Sequence, residues 1–365
     1  MHPPASFNPY TKANPCQAHL LNRILLSSIS CSKKTYHITL QLPENFHYRP
    51  GDCIGIYPEN EIVNVEKTLK ALNFTGKEII FSHKEQKEFF LFDWLKTKAN
   101  LSHCSAHLLK EIAHQNNLDS KELKLQEFTP WEILTLFPLS LDLNSICDFF
   151  SPLLPRFYSI ASMANDQNQL DLLITFASHY NRYERKGVAS EYICHTLKNE
   201  DPISIFYHPA EHFQLAEDHQ PILMIGAGTG LAPYRGFMQA RQHNKTMAPS
   251  WLFFGEWTKQ DNYYWEKYWT DLEKNIPFKI TCAFSREQEE KIYVQNRLEE
   301  FGATIWEWIE KGCVLYVCGD AHHMAKSVDA TLIKICEIYG AMEHERAQQF
   351  MRQLRHEGRY RRDVY

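Results

Sequence analysis

The chain has 365 residues, which is enough for two or three domains with substantial cores. Hydrophobic residues make up 44% and charged residues 23%, as is usual in soluble globular proteins, and no apolar run approaches the ~20 residues of a membrane span. The net charge of −5 and the lack of a long basic run argue against a nucleic-acid-binding surface. Ten scattered cysteines without a Cys-x-x-Cys pair and a start unlike a signal peptide predict a cytoplasmic protein, and we expect no metal site.

The first 150 residues predict an antiparallel barrel that is interrupted by helices. Residues 35–42 alternate in polarity, and residues 53–57 resume a strand after a Pro-Gly turn. Helical spacing follows between about residues 62 and 150, at Val65, Leu69, Leu72, Leu108, Leu109, Ile112 and Ala113. We interpret this stretch as a helical insert, and we interpret its aromatic cluster as core packing, formed by Phe89, Phe90, Phe92 and Trp94.

The remaining residues predict further barrel strands and then a parallel α/β sheet. Strand patterns return at 156–162 and 170–176. After Pro221, apolar strands alternate with glycine turns and helices, and the strand candidates are 222–225, 251–254, 278–283 and 314–318. The predicted fold class is therefore an antiparallel barrel with a helical insert, followed by a parallel-sheet α/β domain.

The tetrapeptide Arg156-Phe157-Tyr158-Ser159 contains the groups that a flavin needs. Tyr158 offers a flat ring on which an isoalloxazine can stack, and Ser159 offers a small hydrogen-bond partner for its N5 edge. Arg156 offers a fork of donors for a pyrophosphate. The alternative interpretation is a strand end with one surface arginine.

Two glycine-containing turns offer phosphate sites. Gly187-Val188-Ala189-Ser190 precedes an apparent helix from Glu191 to Lys198, so free backbone N–H groups and a capping hydroxyl could hold a pyrophosphate; a plain helix cap is the alternative. Gly226-Ala227-Gly228-Thr229-Gly230 follows an apolar strand and opens a helix, and its glycines let a phosphate approach the backbone closely. Leu231 occupies the third glycine position of the usual dinucleotide fingerprint.

Residues near the carboxyl edge of the predicted sheet indicate a dinucleotide. Basic, hydroxyl and amide side chains follow a strand at Ser285, Arg286, Lys291, Tyr293 and Gln295, a set suited to the 2′-phosphate of NADP. Glutamates lie among them, so a solvated helix face is the alternative. Cys318 ends the last clear strand, either as a ligand-facing residue or as a buried cysteine. Tyr365, as the last residue, indicates by itself a disordered tail.

In this order the motifs resemble the ferredoxin–NADP reductase superfamily, and within it the FAD/NADPH reductase portion of the diflavin family that includes the NADPH–sulfite reductase flavoproteins. The resemblance extends from Asn8-Pro9-Tyr10 to Arg359-Tyr360-Arg361-Arg362-Asp363-Val364-Tyr365 and includes Trp251-Leu252-Phe253-Phe254-Gly255. It implies an FAD-binding barrel at 1–61 and 152–216, a helical connecting insert at 62–151 and an NADPH-binding α/β domain at 217–365.

The resemblance also implies the roles of individual residues. It places FAD against Arg156, Phe157, Tyr158, Ser159, Ile174, Thr175, Phe176, Tyr180, Gly187, Val188, Ala189, Ser190 and Tyr365. It places NADPH against Gly228, Thr229, Gly230, Ser285, Arg286, Lys291, Tyr293, Gln295, Cys318 and Ser327. The implied catalytic cluster is Ser159, Cys318, Asp363 and Tyr365, with the Tyr365 ring stacked on the isoalloxazine until nicotinamide arrives.

The implied activity is hydride transfer from NADPH to FAD and electron transfer to a protein acceptor, which is a separate flavodoxin-like FMN protein, a ferredoxin or a sulfite reductase hemoprotein. Three departures accompany the resemblance. The family's N-terminal flavodoxin domain is missing, so we expect no FMN site; Ser327 replaces an expected aspartate; and the stretch between Tyr180 and Gly187 is slightly short. The alternatives are a reductase of a free flavodoxin or ferredoxin not tied to sulfite, and a catalytically retired nucleotide-binding scaffold.

Overall fold

The structure is a computed structural model that describes residues 8–118, 128–180 and 184–365. Within these residues the strands are β1 (Cys16–Leu25), β2 (Thr35–Gln41), β3 (Cys53–Ile56), β4 (Ile79–Ser82), β5 (Lys87–Phe90), β6 (Arg156–Ser159), β7 (Gln169–Thr175), β8 (Ser178–Tyr180), β9 (Glu184–Lys186), β10 (Pro202–His208), β11 (Ile222–Ala227), β12 (Ser250–Glu256), β13 (Phe278–Phe284), β14 (Val314–Gly319) and β15 (Tyr360–Val364). The α-helices are α1 (Ile62–Leu72), α2 (Leu91–Thr97), α3 (Ala106–Gln115), α4 (Pro130–Leu136), α5 (Val188–Glu191), α6 (Ala232–His243), α7 (Lys259–Asn262), α8 (Glu266–Asn275), α9 (Val294–Glu300), α10 (Gly302–Glu310), α11 (Met324–Tyr339) and α12 (His344–His356). None of these helices combines the length and the apolar character needed to cross a membrane.

An antiparallel sheet of six strands has the order β6-β3-β10-β1-β2-β7. β2 pairs antiparallel with both β1 and β7, so that Ile38 lies opposite Leu172. Ile38 and Leu40 are fully buried, on the face that the alternating pattern predicted. An antiparallel bridge from Ile160, directly after β6, to Leu172 in β7 joins the two outer strands, so the sheet closes as a barrel.

The second sheet is parallel and has the order β13-β12-β11-β14-β15. Strand β11 shows that this sheet is buried on both faces: Leu223 and Ile225 belong to one hydrophobic cluster, whereas Ile222 and Met224 belong to another. Strands that are covered on both faces have unbroken apolar sequences, which is the pattern that predicted them. The two sheets together confirm the predicted fold class, an antiparallel barrel followed by a parallel α/β domain.

The C-terminal residues form a fifth strand of the parallel sheet. β15 pairs in parallel with β14, and Cys318 is the register partner of Asp363. The backbone of Tyr365 continues this pairing, because its N–H donates to the carbonyl of Gly319 (3.1 Å) and its carbonyl accepts from the N–H of Ala321 (3.0 Å). The disordered-tail interpretation is therefore wrong, since the edge of β14 supplies the hydrogen-bond partners that order these residues.

The chain divides into two compact units, the first formed by residues 1–54, 157–175 and 206–365 and the second by residues 55–156 and 176–205. The second unit contains α1 to α4, which are the predicted helical insert, and Val65 and Leu108 lie in its core. It also contains the β4–β5 hairpin, which the sequence did not predict. The aromatic cluster is only partly core, because Trp94 is buried whereas Phe90 is 55% exposed on this hairpin. The three-part division into domains stays a prediction.

Within the first unit, a partly buried ion network attaches α6 to the antiparallel sheet. Arg235 of α6 donates from Nη1 to Oδ2 of Asp171 in β7 and to the carbonyl of Ala161, both over 2.8 Å. Thr39 donates to the other oxygen of Asp171 (2.8 Å), which also lies 3.0 Å from Nε2 of His37. Burial alone would raise the pKa of Asp171, but His37 and Arg235 together lower it to about 2. The carboxylate is therefore charged and paired at neutral pH.

Replacing Asp171→Asn should lower the free energy of unfolding at pH 7 by about 3 kcal/mol, because Arg235 would keep a buried charge without its partner. Since the pKa of Asp171 is lowered in the folded state, its contribution is present above the ordinary carboxyl value of ~3.9 and is lost as the pH falls toward about 2. Urea unfolding at pH 7 and pH 3 measures both effects. The control is Asp271→Asn, which removes an exposed pair with Lys274 and should change the free energy by less than ~0.5 kcal/mol. Equal losses in the two variants would contradict this role of the network.

Candidate active site

The glycine turn between β11 and α6 lies close to the end of β14. Gly228 has a φ of +59°, in the left-handed region that favours glycine. A Cβ on Gly230 would lie 2.1 Å from the carbonyl oxygen of Cys318, so no larger residue fits there. Pro233 occupies the first turn of α6, where its missing N–H costs no helical hydrogen bond. The turn thus presents backbone N–H groups at a helix N-terminus, an arrangement that binds phosphate.

A cavity of about 520 Å³ opens beside this turn and lies entirely within the first unit. This volume is in the range of ~300–1,000 Å³ that is usual for small-molecule sites. The walls come from the ends of β11, β12 and β13 and from the starts of α9 and α11, which is the carboxyl edge where parallel sheets bind ligands. The structure brings together here several of the predicted NADPH residues, namely Gly228, Ser285, Tyr293, Gln295 and Ser327.

Arg286 stacks on Trp257, a residue that lines the cavity. The guanidinium carbon of Arg286 lies 3.4 Å from the ring centroid of Trp257. The backbone N–H of Arg286 donates to the backbone carbonyl of Trp257 over 2.8 Å. Both the N–H and the hydroxyl of Ser285 donate to the carbonyl of Glu256, over 2.8 and 3.2 Å. These bonds hold the end of β13 against the end of β12. Arg286 and Lys291 are both exposed, and Arg286 is the one that contacts a residue lining the cavity.

Ser159 and Asp363 form a second cluster in the same unit, together with two cysteines. Ser159 donates its hydroxyl proton to Oδ2 of Asp363 over 3.1 Å, and the Cys53 thiol donates to the Ser159 oxygen over 3.8 Å. Burial raises the pKa of Cys53 to about 12 and raises that of Cys318 well above its usual value, so both are neutral thiols at physiological pH. The cluster therefore combines one hydroxyl, one carboxyl and two thiols beside the parallel pairing of β14 with β15.

The carboxyl of Asp363 has a raised pKa. Burial is the main cause, and it is opposed by the hydrogen bond from Ser159 and by the charges of His212 and His208 when these are protonated. A carboxyl of this kind gains or loses a proton closer to neutral pH than an exposed aspartate does. It is therefore suited to respond when charge changes on a neighbouring group.

Tyr365 connects the second cluster to the glycine turn. Its hydroxyl hydrogen-bonds to Oγ1 of Thr229 over 2.9 Å, whereas its backbone continues the pairing of β15 with β14. The residue as a whole is 60% exposed, whereas desolvation at its hydroxyl raises the pKa of the phenol. The Tyr365 side chain thus connects the glycine turn before α6 with the strand that carries Asp363.

Gly187 to Ser190, four of the predicted FAD contacts, form the first turn of a short helix in the second unit. Helix α5 begins at Val188 and continues as a π-helical turn over Tyr192–Thr196, so the predicted helix from Glu191 to Lys198 is wrong in its start and its type. Ser190 is not a capping acceptor, because its hydroxyl donates to the carbonyl of Gly187 (3.0 Å) and accepts from the N–H of Ala177 (3.1 Å). This hydroxyl fixes the turn against Ala177.

The other predicted FAD residues of the second unit are Arg156, Phe176 and Tyr180. Arg156 is exposed and donates to the carbonyl of Leu154 over 3.0 Å. Phe176 contacts the ring of His195 edge-on, with centroids 4.6 Å apart. Tyr180 ends β8, but its side chain lies outside the described residues, as does the middle of the stretch predicted to be short, residues 181–183.

The remaining predicted FAD residues belong to the first unit. Phe157 is exposed beside His208, with ring centroids 4.6 Å apart, and Tyr158 is half-buried. Ile174 is 1% exposed, so it presents almost no surface to a ligand. The hydroxyl of Thr175 hydrogen-bonds to that of Thr35 over 2.9 Å, which ties β7 to the start of β2.

Several residues that line the cavity were missed in the sequence. Lys33, Glu256 and Trp257 are among them, and none belongs to the predicted site. Glu256 and Trp257 directly follow the motif that ends at Gly255, so their position at the carboxyl end of a parallel strand was a usable signal. Lys33 gave no signal, because it lies in the loop between β1 and β2 and meets the cavity only through the fold.

The comparisons with known proteins agree with this geometry. The oxidoreductase NAD-binding domain family matches residues 224–330, which contain the glycine turn and most of the cavity. The sulfite reductase (NADPH) flavoprotein alpha-component of Baumannia cicadellinicola subsp. Homalodisca coagulata is 34% identical over 98% of this chain, and those of Klebsiella pneumoniae and Bacillus subtilis are 33% and 32% identical over 98%. The chain is homologous to this flavoprotein component. It spans 62% of the length of each of these three relatives.

Replacing Asp363→Asn should raise the melting temperature at pH 8, because the amide keeps an oxygen for the Ser159 hydroxyl but carries no buried charge. Since the pKa of Asp363 is raised in the folded state, the stability that its carboxyl contributes is present below ~3.9 and is lost as the pH rises through the folded-state pKa. The gain from the substitution should therefore shrink as the pH is lowered to 4. Differential scanning fluorimetry between pH 4 and pH 8 measures it.

Asp320→Asn is the matched control with the opposite sign. Slight burial would raise the pKa of Asp320, but hydrogen bonds from the backbone N–H groups of His323 and Met324 lower it overall. Loss of this carboxylate should therefore reduce the melting temperature at pH 8. If the melting temperature of Asp363→Asn falls as that of Asp320→Asn does, the Asp363 carboxyl does not have a raised pKa.

Proposed function

We propose that this chain is an NADPH-dependent FAD flavoprotein reductase, which passes a hydride from NADPH to FAD and electrons from FAD to a protein acceptor. The observation that carries the proposal is that a cavity beside the glycine turn and the Ser159–Asp363–Cys318 cluster lie at the ends of neighbouring parallel strands. The two cofactors supply the hydride chemistry, so the chain's task is to bind them, orient them and exclude water.

The NADPH end of the site is assigned to the cavity. The turn of Gly228, Thr229 and Gly230 receives the pyrophosphate, because its backbone and the start of α6 favour negative charge. Ser285, Arg286, Lys291, Tyr293 and Gln295 receive the 2′-phosphate and the adenine, and the exposed guanidinium of Arg286 supports this assignment. Ser327 lines the same cavity with a hydroxyl, which is a weaker contact than the aspartate expected there.

In the first unit, Tyr158 and Tyr365 offer rings to the isoalloxazine of FAD. The FAD contacts proposed for the second unit, Arg156 and the turn from Gly187 to Ser190, offer donors to a pyrophosphate. The raised pKa of the Asp363 carboxyl supports its role, since such a group can share the charge that develops when the flavin is reduced. Ser159 holds that carboxyl and can present its hydroxyl to the N5 edge.

Cys318 completes the proposed catalytic cluster. It is fully buried, it pairs in register with Asp363, and its carbonyl oxygen restricts the residue at Gly230. A neutral thiol at this point keeps the reacting edge apolar and excludes water without adding a charge. A retired scaffold would not need Ser159, Cys318, Asp363 and Tyr365 to converge in this way.

The acceptor is proposed to be a separate protein: a flavodoxin-like FMN protein, a ferredoxin or a sulfite reductase hemoprotein. The names of the homologous proteins favour a sulfite reductase hemoprotein, because the three relatives described above are sulfite reductase (NADPH) flavoprotein alpha-components. Steady-state reduction of each candidate acceptor by the FAD-loaded chain and NADPH distinguishes the three.

Anaerobic addition of NADPH to the FAD-loaded protein should bleach the flavin absorbance. NADH should do so with an efficiency lower by at least about tenfold, because it lacks the 2′-phosphate that charged and hydroxyl groups of the cavity would bind. Free FAD with NADPH over the same time is the control. If the protein takes up no FAD, or if its FAD stays oxidised in excess NADPH, it is not an NADPH-dependent FAD reductase. Equal efficiency of NADPH and NADH would exclude only the proposed 2′-phosphate site.

Replacing Tyr365→Ala should reduce the preference for NADPH over NADH, because the ring would no longer occupy the position that nicotinamide must take. Tyr365→Phe keeps the ring and loses only the hydrogen bond to Thr229, so it should retain most of the preference. The ratio of kcat/KM values for the two coenzymes measures the effect. If Tyr365→Ala leaves this ratio unchanged, the ring does not gate the site.

A further inference from the structure

A buried carboxylate lies in the cavity that is assigned to the anionic coenzyme. Glu256 is the last residue of β12, its side chain is 1% exposed, and it lines the cavity. A Cβ built on Gly228 would lie 3.5 Å from its Oε1, so a phosphate held by the glycine turn would lie against this oxygen. An uncompensated carboxylate at this distance would repel the phosphate.

The position of Glu256 in the sheet matters for the choice of coenzyme. β12 is the strand that follows the glycine turn and its helix α6, and it is the neighbour of β11 in the sheet. In dinucleotide-binding folds an acid at the end of this second strand binds the ribose hydroxyls of NAD, whereas NADP sites place a cation nearby for the 2′-phosphate. Glu256 alone would therefore favour the coenzyme without the phosphate.

Lys33 neutralises this acid from the loop between β1 and β2. Its ammonium group pairs with Oε1 of Glu256, and the hydroxyl of Tyr264 donates to the same oxygen over 3.2 Å. The N–H of Trp257 donates to Oε2 over 2.8 Å, so both carboxylate oxygens have donors. The ammonium also lies 3.4 Å from the Cβ position of Gly228 and 5.5 Å from the ring centroid of Trp257. The pair thus faces the phosphate turn as a neutral unit.

We propose that Lys33 determines coenzyme specificity by neutralising Glu256, so that the cavity accepts a coenzyme with both a pyrophosphate and a 2′-phosphate. The inference rests on the proposed NADPH site. Loss of Lys33 exposes the carboxylate charge to the phosphates, and the exposed acid then binds the ribose hydroxyls and favours the unphosphorylated coenzyme. Lys33 is a positioning and specificity residue in this scheme, and its effect depends on the presence of Glu256.

A double-mutant cycle separates this role from a simple contact between Lys33 and phosphate. Isothermal titration calorimetry of NADP⁺, adenosine 2′,5′-bisphosphate and NAD⁺ is carried out on the FAD-loaded protein and on Lys33→Met, Glu256→Gln and the double variant. Lys33→Met should weaken NADP⁺ binding by at least about tenfold, since juxtaposed like charges cost several kcal/mol. In the Glu256→Gln background the same change should cost less than about threefold.

Equal losses in the two backgrounds would overturn the proposal, because they would show that Lys33 acts on the phosphate alone. Lys33→Arg keeps the charge and should preserve NADP⁺ binding within about threefold. Lys34→Met is the matched control, since the ammonium of Lys34 donates to the carbonyls of Ser28 and Ile29. It should leave all three affinities unchanged. Melting temperatures of all variants identify any loss of folding.

The ratio of NAD⁺ to NADP⁺ affinity provides a second measurement that does not need Glu256→Gln to fold. Lys33→Met should shift this ratio toward NAD⁺ by at least about threefold. Both coenzymes carry the pyrophosphate, but only NADP⁺ also carries a 2′-phosphate that the exposed acid would repel. An unchanged ratio would overturn the proposal. If the unsubstituted protein binds neither NADP⁺ nor adenosine 2′,5′-bisphosphate, the proposed NADPH function fails as well. If it binds both but shows no coupling, only the inference about Lys33 and Glu256 fails.

Discussion

The close contact between the glycine turn and the end of β14 is the constraint on which the candidate site depends. A Cβ on Gly230 would meet the carbonyl oxygen of Cys318 at 2.1 Å, and a Cβ on Gly226 would lie 3.2 Å from the same oxygen. The turn can therefore touch β14 only because these positions lack side chains. β15 pairs with β14 on its other side, so the same contact determines where Asp363 and Tyr365 lie relative to Thr229. One backbone contact thus fixes both the phosphate turn and the catalytic cluster.

Three acids of the first unit that are buried or partly buried have different surroundings, and these differences separate structural from chemical roles. Asp171 meets His37 and Arg235, and its pKa is about 2 although burial alone would raise it, so it is a fixed charge. Asp363 has a serine hydroxyl as its hydrogen-bond donor, and burial raises its pKa, so its proton can respond to a change of charge nearby. Glu256 is paired with Lys33 in a cavity suited to anions. A carboxyl group's partners therefore indicate its role better than its burial does.

Features that depend on local chemistry could be predicted from the sequence alone. The apolar strands of the parallel sheet and the glycine turn after Ile225 could be predicted, since strands buried on both faces and close phosphate approach restrict residue type directly. The pairing of Lys33 with Glu256 could not, because it joins residues 223 positions apart and only the fold brings them together. Strand β15 was also missed on periodicity, since an edge strand of charged residues such as Arg361 and Arg362 has no apolar pattern.

The hydrogen bonds of Tyr365 restrict how it can act as a gate. Its backbone N–H and carbonyl are held by Gly319 and Ala321, so the end of the chain cannot leave the sheet without breaking strand hydrogen bonds. The ring is held by one hydrogen bond, between its hydroxyl and Thr229. Moving the ring aside therefore breaks one hydrogen bond, at a cost of about 1 kcal/mol, and requires a rotation of the side chain only. Such a rotation is fast compared with a backbone rearrangement, so admission of the nicotinamide need not limit turnover.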